Sequence, residues 1–410
     1  WSVLKDVVGA VTGSGGSVKL RKGLVMAQVA FSFLLLAGAG LFVKTLANLK
    51  NTNPGFKDID RLVTFQLDAA LNGYSVPRLQ AFYNQVLDRV RGTPGVQAAS
   101  FAFVGVLAGG EWDSGMSVEG HTNKDGEDMQ AFMNGISPGY WKTMGVSLLE
   151  GRDFDQRDTG HQISVAIVNR AFATHYFGDR SPIGRHIGFG GGPLTKLHIE
   201  IIGVVGNSLY EGPREGVHRQ AFIPFNQADF PGSVSFYVRT SSDPDRLFAA
   251  LRRNVAELDP AMPVYQMKTL SRQLDETLST ERLIALLSGA FGILATLLAA
   301  MGLYGVMAFV VARRTKEIGL RMALGAQRGE VLWMVMKEAL VLVAVGLAVG
   351  VPAAYMLSRY VSSQLFSVAR TDVWTAVSAL AILSAAAAGA GLLPARRASG
   401  IDPIRALRYE

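Results

Sequence analysis

The chain has 410 residues, of which 49% are hydrophobic and only 18% charged, with 40 Lys and Arg against 33 Asp and Glu for a formal charge of +7. A soluble chain carries about 25% charged residues. Here the apolar excess is concentrated near the start and in the last third, which excludes both a wholly soluble enzyme and a disordered or fibrous chain. Cysteine is absent, so disulfides, zinc–thiolate sites, iron–sulfur clusters and cysteine nucleophiles are excluded as well.

The chain opens on Trp1. In residues 1–22 the Gly/Ser stretch 13–17 precedes Lys19, Arg21 and Lys22, the reverse of signal-peptide order. The segment reads as a cytoplasmic linker within a longer polypeptide. Residues 23–43 carry no charge, enough for a membrane helix of about 20 residues. This first span, 23–46, is expected to continue as a stalk to about residue 53, where Pro54-Gly55 stops it.

Residues 54–270 read as a globular, extracytoplasmic α/β domain. A strand at 61–68, an amphipathic helix at 76–91 and a strand at 96–103 are matched later by a strand at 234–240, a helix at 245–258 and a strand at 264–267. Two such units suggest a ferredoxin-like split βαβ subdomain. A β-rich insert at about 135–225 is expected between them, with 164–169 and 198–206 as its clearest strands.

The run 271–312 is expected to be a stalk and second span in one helix, because SRQLDETLSTERL contains good helix formers and no breaker. Residues 339–358 and 373–395 complete four spans. Lys and Arg cluster in 1–22, in the 313–338 connection and in the tail 396–410, while 359–372 holds only Arg359 and Arg370. By the positive-inside rule the two ends and the 313–338 loop are cytoplasmic, and the large domain lies outside. Topology thus accounts for the positive charge without nucleic acid.

No motif offers catalysis, a cofactor site or a metal site. GFGGGP (188–193) lacks the Gly-Lys-Ser/Thr that a phosphate loop needs and reads as a hairpin loop. The six histidines (His121, His161, His175, His186, His198, His218) show no ligand spacing. Asp153, Asp155 and Asp158 have Arg157 where a calcium loop needs an oxygen donor. The segment ending in Glu111, Trp112 and Asp113 reads either as a packed loop or as an exposed contact tip. Asp, Glu, Lys, Arg and His are missing from the apolar runs 23–43, 283–312, 339–358 and 373–395, which argues against an ion-coupled carrier. The spans do contain Gly38, Gly40, Gly302, Gly305, Gly346 and Gly350, small residues that permit close helix packing.

The loop RRTKEIGLRMALGAQRGEVLWMVMKE (313–338) is the most distinctive segment. Glu317 and Arg321 are spaced for an intrahelical pair, and Ile318 and Met322 share a face. The spacing predicts a short amphipathic helix, lying on anionic lipid or docking a cytosolic protein.

At this point EIGLRMALGA (317–326) resembles the signature of the MacB/FtsX/LolC-type permeases of ABC transporters, and PARRASGIDPIRALRYE (394–410) resembles their C-terminal ending. KLRKGLVMAQVAFSFLLLAGAGLFVKTL (19–46) is similar to their first span, and ISPGYWKTMGVSLLEGRDF (136–154) and IIGVVGN (201–207) to their periplasmic core domain. The resemblance implies a bacterial inner-membrane permease subunit of four spans, with a porter-like domain between the first two. It implies ATP-driven movement transmitted for export, efflux or lipoprotein-type extrusion. It further implies a partner ATPase that meets Glu317, Ile318, Gly319, Arg321, Met322, Ala323 and Gly325 as a coupling helix.

The partners expected from the resemblance are that ATPase, a second permease half in a homodimer or pseudo-dimer, a periplasmic adaptor and membrane lipid. Because an N-terminal ATPase domain is absent from these 410 residues, the chain is similar to the second half of a duplicated permease. Two alternatives stand beside this reading: FtsX-like signalling to a periplasmic cell-wall hydrolase, and a membrane-anchored binding protein that works without an ATPase.

Overall fold

The computed structural model describes residues 2–400 except 123, 125, 156, 159, 161–162, 193, 228–229, 231, 362–364 and 367–371. His161, Pro193, Arg370 and the tail motif from residue 401 on therefore lie outside the described residues. The chain divides into a membrane unit, residues 1–49 with 280–410, and an external unit, residues 50–279.

In the external unit, β1 (Leu62–Leu67), α2 (Val76–Arg91) and β2 (Val96–Ala102) form one strand–helix–strand element; β10 (Val234–Thr240), α5 (Pro244–Ala256) and β11 (Tyr265–Thr269) form the other. The four strands pair antiparallel in the order β11-β1-β10-β2, which is the ferredoxin-like interleaving of two βαβ halves. Alternation sets the faces. Val63, Phe65 and Leu67 share a core with Leu79, Phe82, Tyr83, Val86, Leu87 and Val90 of α2, whose spacing follows the helical repeat. Phe65 stacks on Phe236 at 5.0 Å, and Phe101 meets Phe225 edge-on at 4.8 Å. On the opposite face, Leu62 and Tyr237 pack with Tyr140 and Trp141 of α3 (Tyr140–Met144) and with Leu270 and Leu274 of α6 (Leu270–Thr277).

The inserted part is larger than the sequence suggests and has a different form. It starts not near residue 135 but at β3 (Asp113–Val118), and continues with β4 (Gln130–Ile136), β5 (Leu148–Gly151), β6 (Val165–Asn169), β7 (His186–Phe189), β8 (Ile199–Val205) and β9 (Gln220–Pro224). The pairings β4–β3, β3–β7, β7–β8, β8–β6 and β6–β9 run in sequence, and a parallel β4–β9 pair closes them into a six-stranded ring. Met116, Val118, Ala131, Met133, Ala166, Val168, Ile187, Ile199, Ile201, Ala221 and Ile223 alternate into one buried core, as the two-residue period of a closed barrel requires. Phe172 and Tyr176 of α4 (Arg170–Phe177) join that core.

The ring is not a separate sheet, because Ala102 of β2 pairs with Ile136 of β4. At this crossing the buried Asn134 accepts from the Val104 amide at 2.9 Å and donates to its carbonyl at 2.8 Å.

Two helix boundaries also differ. Helix α1 (Ser2–Lys50) is unbroken through residues 13–17, which the sequence presents as a linker; once a helix is nucleated, each added residue gains a hydrogen bond that offsets part of a glycine's cost of about 1 kcal/mol. Conversely, α6 does not run into the second span. It ends at Thr277, a single turn residue follows at Leu278, and α7 (Ser279–Arg313) begins anew. Helix α6 is tethered by the burial of Leu270 and Leu274 and by its Thr269 cap, whose oxygen accepts from the Arg272 amide.

The membrane unit consists of α1, α7, α8 (Thr315–Ala323), α9 (Arg328–Val361) and α10 (Val373–Ser399). Among the described residues, four stretches are long and apolar enough to cross a bilayer: Val18–Lys50, Ser279–Arg313, Arg328–Tyr360 and Val373–Ser399. Glycines mark the close approaches. A Cβ on Gly346 would lie 2.8 Å from the Met26 carbonyl of α1, and one on Gly40 would lie 2.5 Å from Thr375 of α10.

Candidate functional site

The connection between α7 and α9 is built to hold one short helix in a fixed place. Helix α7 ends as the Arg314 amide bonds to the Val310 and Val311 carbonyls at 3.1 Å. Thr315 turns its hydroxyl back on the Val311 carbonyl, at 3.1 Å, and α8 follows. Its C-terminus is a Schellman motif: the Ala326 amide bonds to the Arg321 carbonyl at 3.0 Å and the Gly325 amide to the Met322 carbonyl at 3.1 Å. That geometry puts Gly325 at φ +98°, the left-handed region that glycine enters without steric cost. Helix α9 then starts with Glu330 accepting from the Gln327 amide at 3.2 Å, half of a capping box.

The seven residues singled out in the sequence fall on two sides of α8 and its cap. Ile318 is 1% exposed, and with Gly319 and Met322 it faces the bundle core of Val306, Val310, Val311, Val331, Val335, Ala395 and Ala398. Glu317 and Arg321 point outward and pair at 2.7 Å, and Ala323 and Gly325 are exposed beside them. Two residues that the sequence reading passed over complete the outer side: Leu320 is 52% and Leu324 80% exposed. Glu317, Leu320, Arg321 and Leu324 stand at i, i+3, i+4 and i+7, which is one helical face. That spacing is present in the sequence, opposite the face that carries Ile318 and Met322.

The root of α8 is tied to every span. Glu338 of α9 receives Lys22 of α1 as well as Arg314 at 3.4 Å. Arg397 of α10 donates to the Tyr304 hydroxyl of α7 at 3.0 Å, and the Arg21 guanidinium lies 4.7 Å from the Phe309 ring centre. These contacts join α1, α7, α9 and α10 on the side of the bundle where Ile318 packs.

The other motifs take structural places. The link from β7 to β8 begins at Gly190, which is bonded to Gly115 and accepts from Ser117 and Thr195. Arg152 grips Asp158 through two hydrogen bonds of 2.7 and 2.8 Å; Arg157 hydrogen bonds to Asp155 and holds its carboxyl well below the usual range. His121 meets Glu127, His186 meets Glu119 and His218 meets Glu211, at 3.0, 3.0 and 3.3 Å. Among the described residues no His, Asp and Glu side chains are grouped to hold a metal ion. Trp112 packs edge-on against Phe103 and Phe230, which makes this segment a packed loop with Glu111 and Asp113 exposed at its surface.

Comparison with known proteins matches residues 23–254 to the MacB-like periplasmic core domain and residues 289–403 to the FtsX-like permease C-terminal region. The macrolide export ATP-binding/permease protein MacB of Bdellovibrio bacteriovorus is 26% identical over 291 residues, covering 67% of this chain and 43% of its own. The ABC transporter permease YknZ of Bacillus subtilis is 28% identical over 293 residues, covering 69% and 71%. The pyoverdine export ATP-binding/permease protein PvdT of Pseudomonas aeruginosa is 24% identical, covering 68% and 42%. The chain thus spans less than half the length of the ATP-binding/permease relatives. Among solved structures, the periplasmic region of MacB from Actinobacillus actinomycetemcomitans aligns at a TM-score of 0.36 and 15% identity, covering 57% of this chain and 97% of that one. With the first family model alone covering more than half of its residues, the chain belongs to the MacB/FtsX family of ABC transporter permeases, multi-pass proteins of the inner membrane with a periplasmic domain between the first and second spans.

Proposed function

We propose that this chain is the force-transmitting permease subunit of an export-type ABC machine, and that a cytosolic ATPase docks on the outer face of α8. The observation that carries this reading is the exposure of Leu320 and Leu324 beside the Glu317–Arg321 pair, on a helix whose inner face is locked into the bundle. An apolar pair bracketed by charges is the composition of a docking face.

ATP hydrolysis belongs to the partner in this reading, and the chain contributes no catalytic group. Movement of α8 is passed to α1, α7, α9 and α10 through the Glu338 cluster and the shared core. Helix α1, about 74 Å long at 1.5 Å per residue, carries it toward the periplasmic domain, and a second permease half supplies the opposing half of the machine. The exported substrate belongs to the class of small molecules or lipid-anchored cargo handled on the periplasmic side.

The test is affinity purification of the full-length protein from native membranes, alongside a Glu317→Ala, Arg321→Ala variant. The reading expects a nucleotide-binding ATPase with the native chain and its loss with the variant. An ATPase absent from both preparations overturns it, as does equal recovery with both.

A further inference from the structure

The membrane unit contains a cavity of about 540 Å³ among α1, α7, α9 and α10, in the half of the bundle nearer the external side. Its walls include Ala37, Phe291, Ala354 and Leu380, with Asp372 and Thr375 at one end. We propose that this cavity holds one acyl chain of an outer-leaflet phospholipid, with the headgroup phosphate beside Lys44.

Length argues for an acyl chain. The α1 residues lining the cavity run from Phe33 to Phe42, about 14 Å along the helix, and one leaflet of the hydrocarbon core is about 15 Å.

Chemistry argues against water. The Ser358 hydroxyl donates to the Tyr355 carbonyl at 2.7 Å and the Thr375 hydroxyl to Asp372, and apart from these, Ser288 and Tyr355 the lining is apolar. A resident water needs two to four polar partners, which an acyl chain does not.

The charged end has the layout of a headgroup site. Lys44 pairs with Asp372 at 2.8 Å, but the lysine side chain remains 42% exposed while the aspartate is 7% exposed. The aspartate is thus enclosed and satisfied, and the ammonium keeps donors free on the outer side. Trp374 and Tyr360 are 80% and 86% exposed at the same end of α10 and α9, as aromatic side chains are at the level of lipid headgroups. A phosphate fits the lysine, and the apolar cavity below it fits the chain.

The test uses the full-length protein in vesicles of phosphatidylethanolamine and phosphatidylglycerol, doped with phosphatidylethanolamine that carries a diazirine at the end of one acyl chain. After irradiation and digestion, adducts should concentrate on residues 33–42 and 351–358. Gly38 lines the cavity and a Cβ there would meet nothing within 4 Å, so Gly38→Leu fills the space without a backbone clash. It should lower these adducts about tenfold, the loss expected when room for about two buried methylenes disappears. Gly389→Leu, which also meets open space but lies away from the cavity, should leave them within about twofold of the native chain. Ser288→Leu provides a second filling variant should Gly38→Leu fail to fold. Unchanged labelling in a folded filling variant overturns the proposal. So do adducts spread evenly over outward-facing residues such as Leu298 and Met301, or cross-links from the cavity to a second copy of the chain.

Discussion

Replacing Gly346 by alanine should loosen the bundle at the contact between α1 and α9, the span that directly follows α8. The added Cβ would lie 2.8 Å from the Met26 carbonyl and 2.8 Å from the Val29 Cβ. The first of these is backbone, so no side-chain rotation relieves it and the helices must part. Overpacking of this kind costs about 1–3 kcal/mol, against a gain of about 0.5–1 kcal/mol from replacing glycine inside a helix, and a clash with backbone belongs at the upper end of the cost, for a net loss of up to about 2.5 kcal/mol. Gly305→Ala is the control, because a Cβ there meets nothing within 4 Å, and only the gain of about 0.5–1 kcal/mol remains. Dodecyl sulfate titration of the full-length protein in mixed micelles, followed by circular dichroism, should shift the midpoint down for the first variant and slightly up for the second. Equal shifts in one direction would refute the close approach of α1 and α9.

Three further outcomes are expected. Asn134→Ala leaves the buried amide and carbonyl of Val104 unpaired, at a cost of about 2–4 kcal/mol; thermal melting followed by tryptophan fluorescence should fall by about 5–12 °C, and a drop under about 2 °C would contradict the clamp. Glu119 accepts hydrogen bonds from the His186 ring and the Arg185 guanidinium, which hold its carboxyl down to about 2. A depressed carboxyl contributes stability above its unfolded value of about 4.3, so the external domain should weaken as pH falls from there toward 2. Glu119→Gln should flatten that part of the melting-temperature profile, and an unaltered profile would dismiss the pairing. Leu320→Asp with Leu324→Asp should leave the melt unchanged but weaken ATPase binding about 100-fold, since covering one half-exposed and one mostly exposed leucine is worth about 3 kcal/mol. Affinity within twofold of native in a binding titration would remove these residues from the interface.

The four spans were legible because charge is missing from long runs of sequence, a signal that needs no tertiary knowledge. The ferredoxin-like half was legible for a related reason: β1–α2–β2 and β10–α5–β11 each carry their own periodicity. The ring of strands was not. Its closure depends on Phe132 to Ile136 pairing with Gln220 to Pro224, partners far apart in sequence, and β3 (DSGMSV) has the composition of a loop. The break at Leu278 was equally hidden, because nothing local ends the helix; the burial of Leu270 and Leu274 against distant residues does. On α8 the spacing of Ile318 and Met322 put both on one face, but that this face turns into the bundle, away from any cytosolic partner, was not legible. What the two leucines opposite them do required exposure, which periodicity alone does not supply.

The central claim is that the outer face of α8 meets a cytosolic ATPase, and the most direct measurement is photo-cross-linking from that face in native membranes. A photoreactive amino acid placed at position 324 should, on irradiation, join the chain to a nucleotide-binding ATPase. The same probe at position 318, whose native Ile318 is buried in the bundle, should give no such product. Adducts at position 324 to lipid alone, or equal ATPase capture from both positions, would contradict the account.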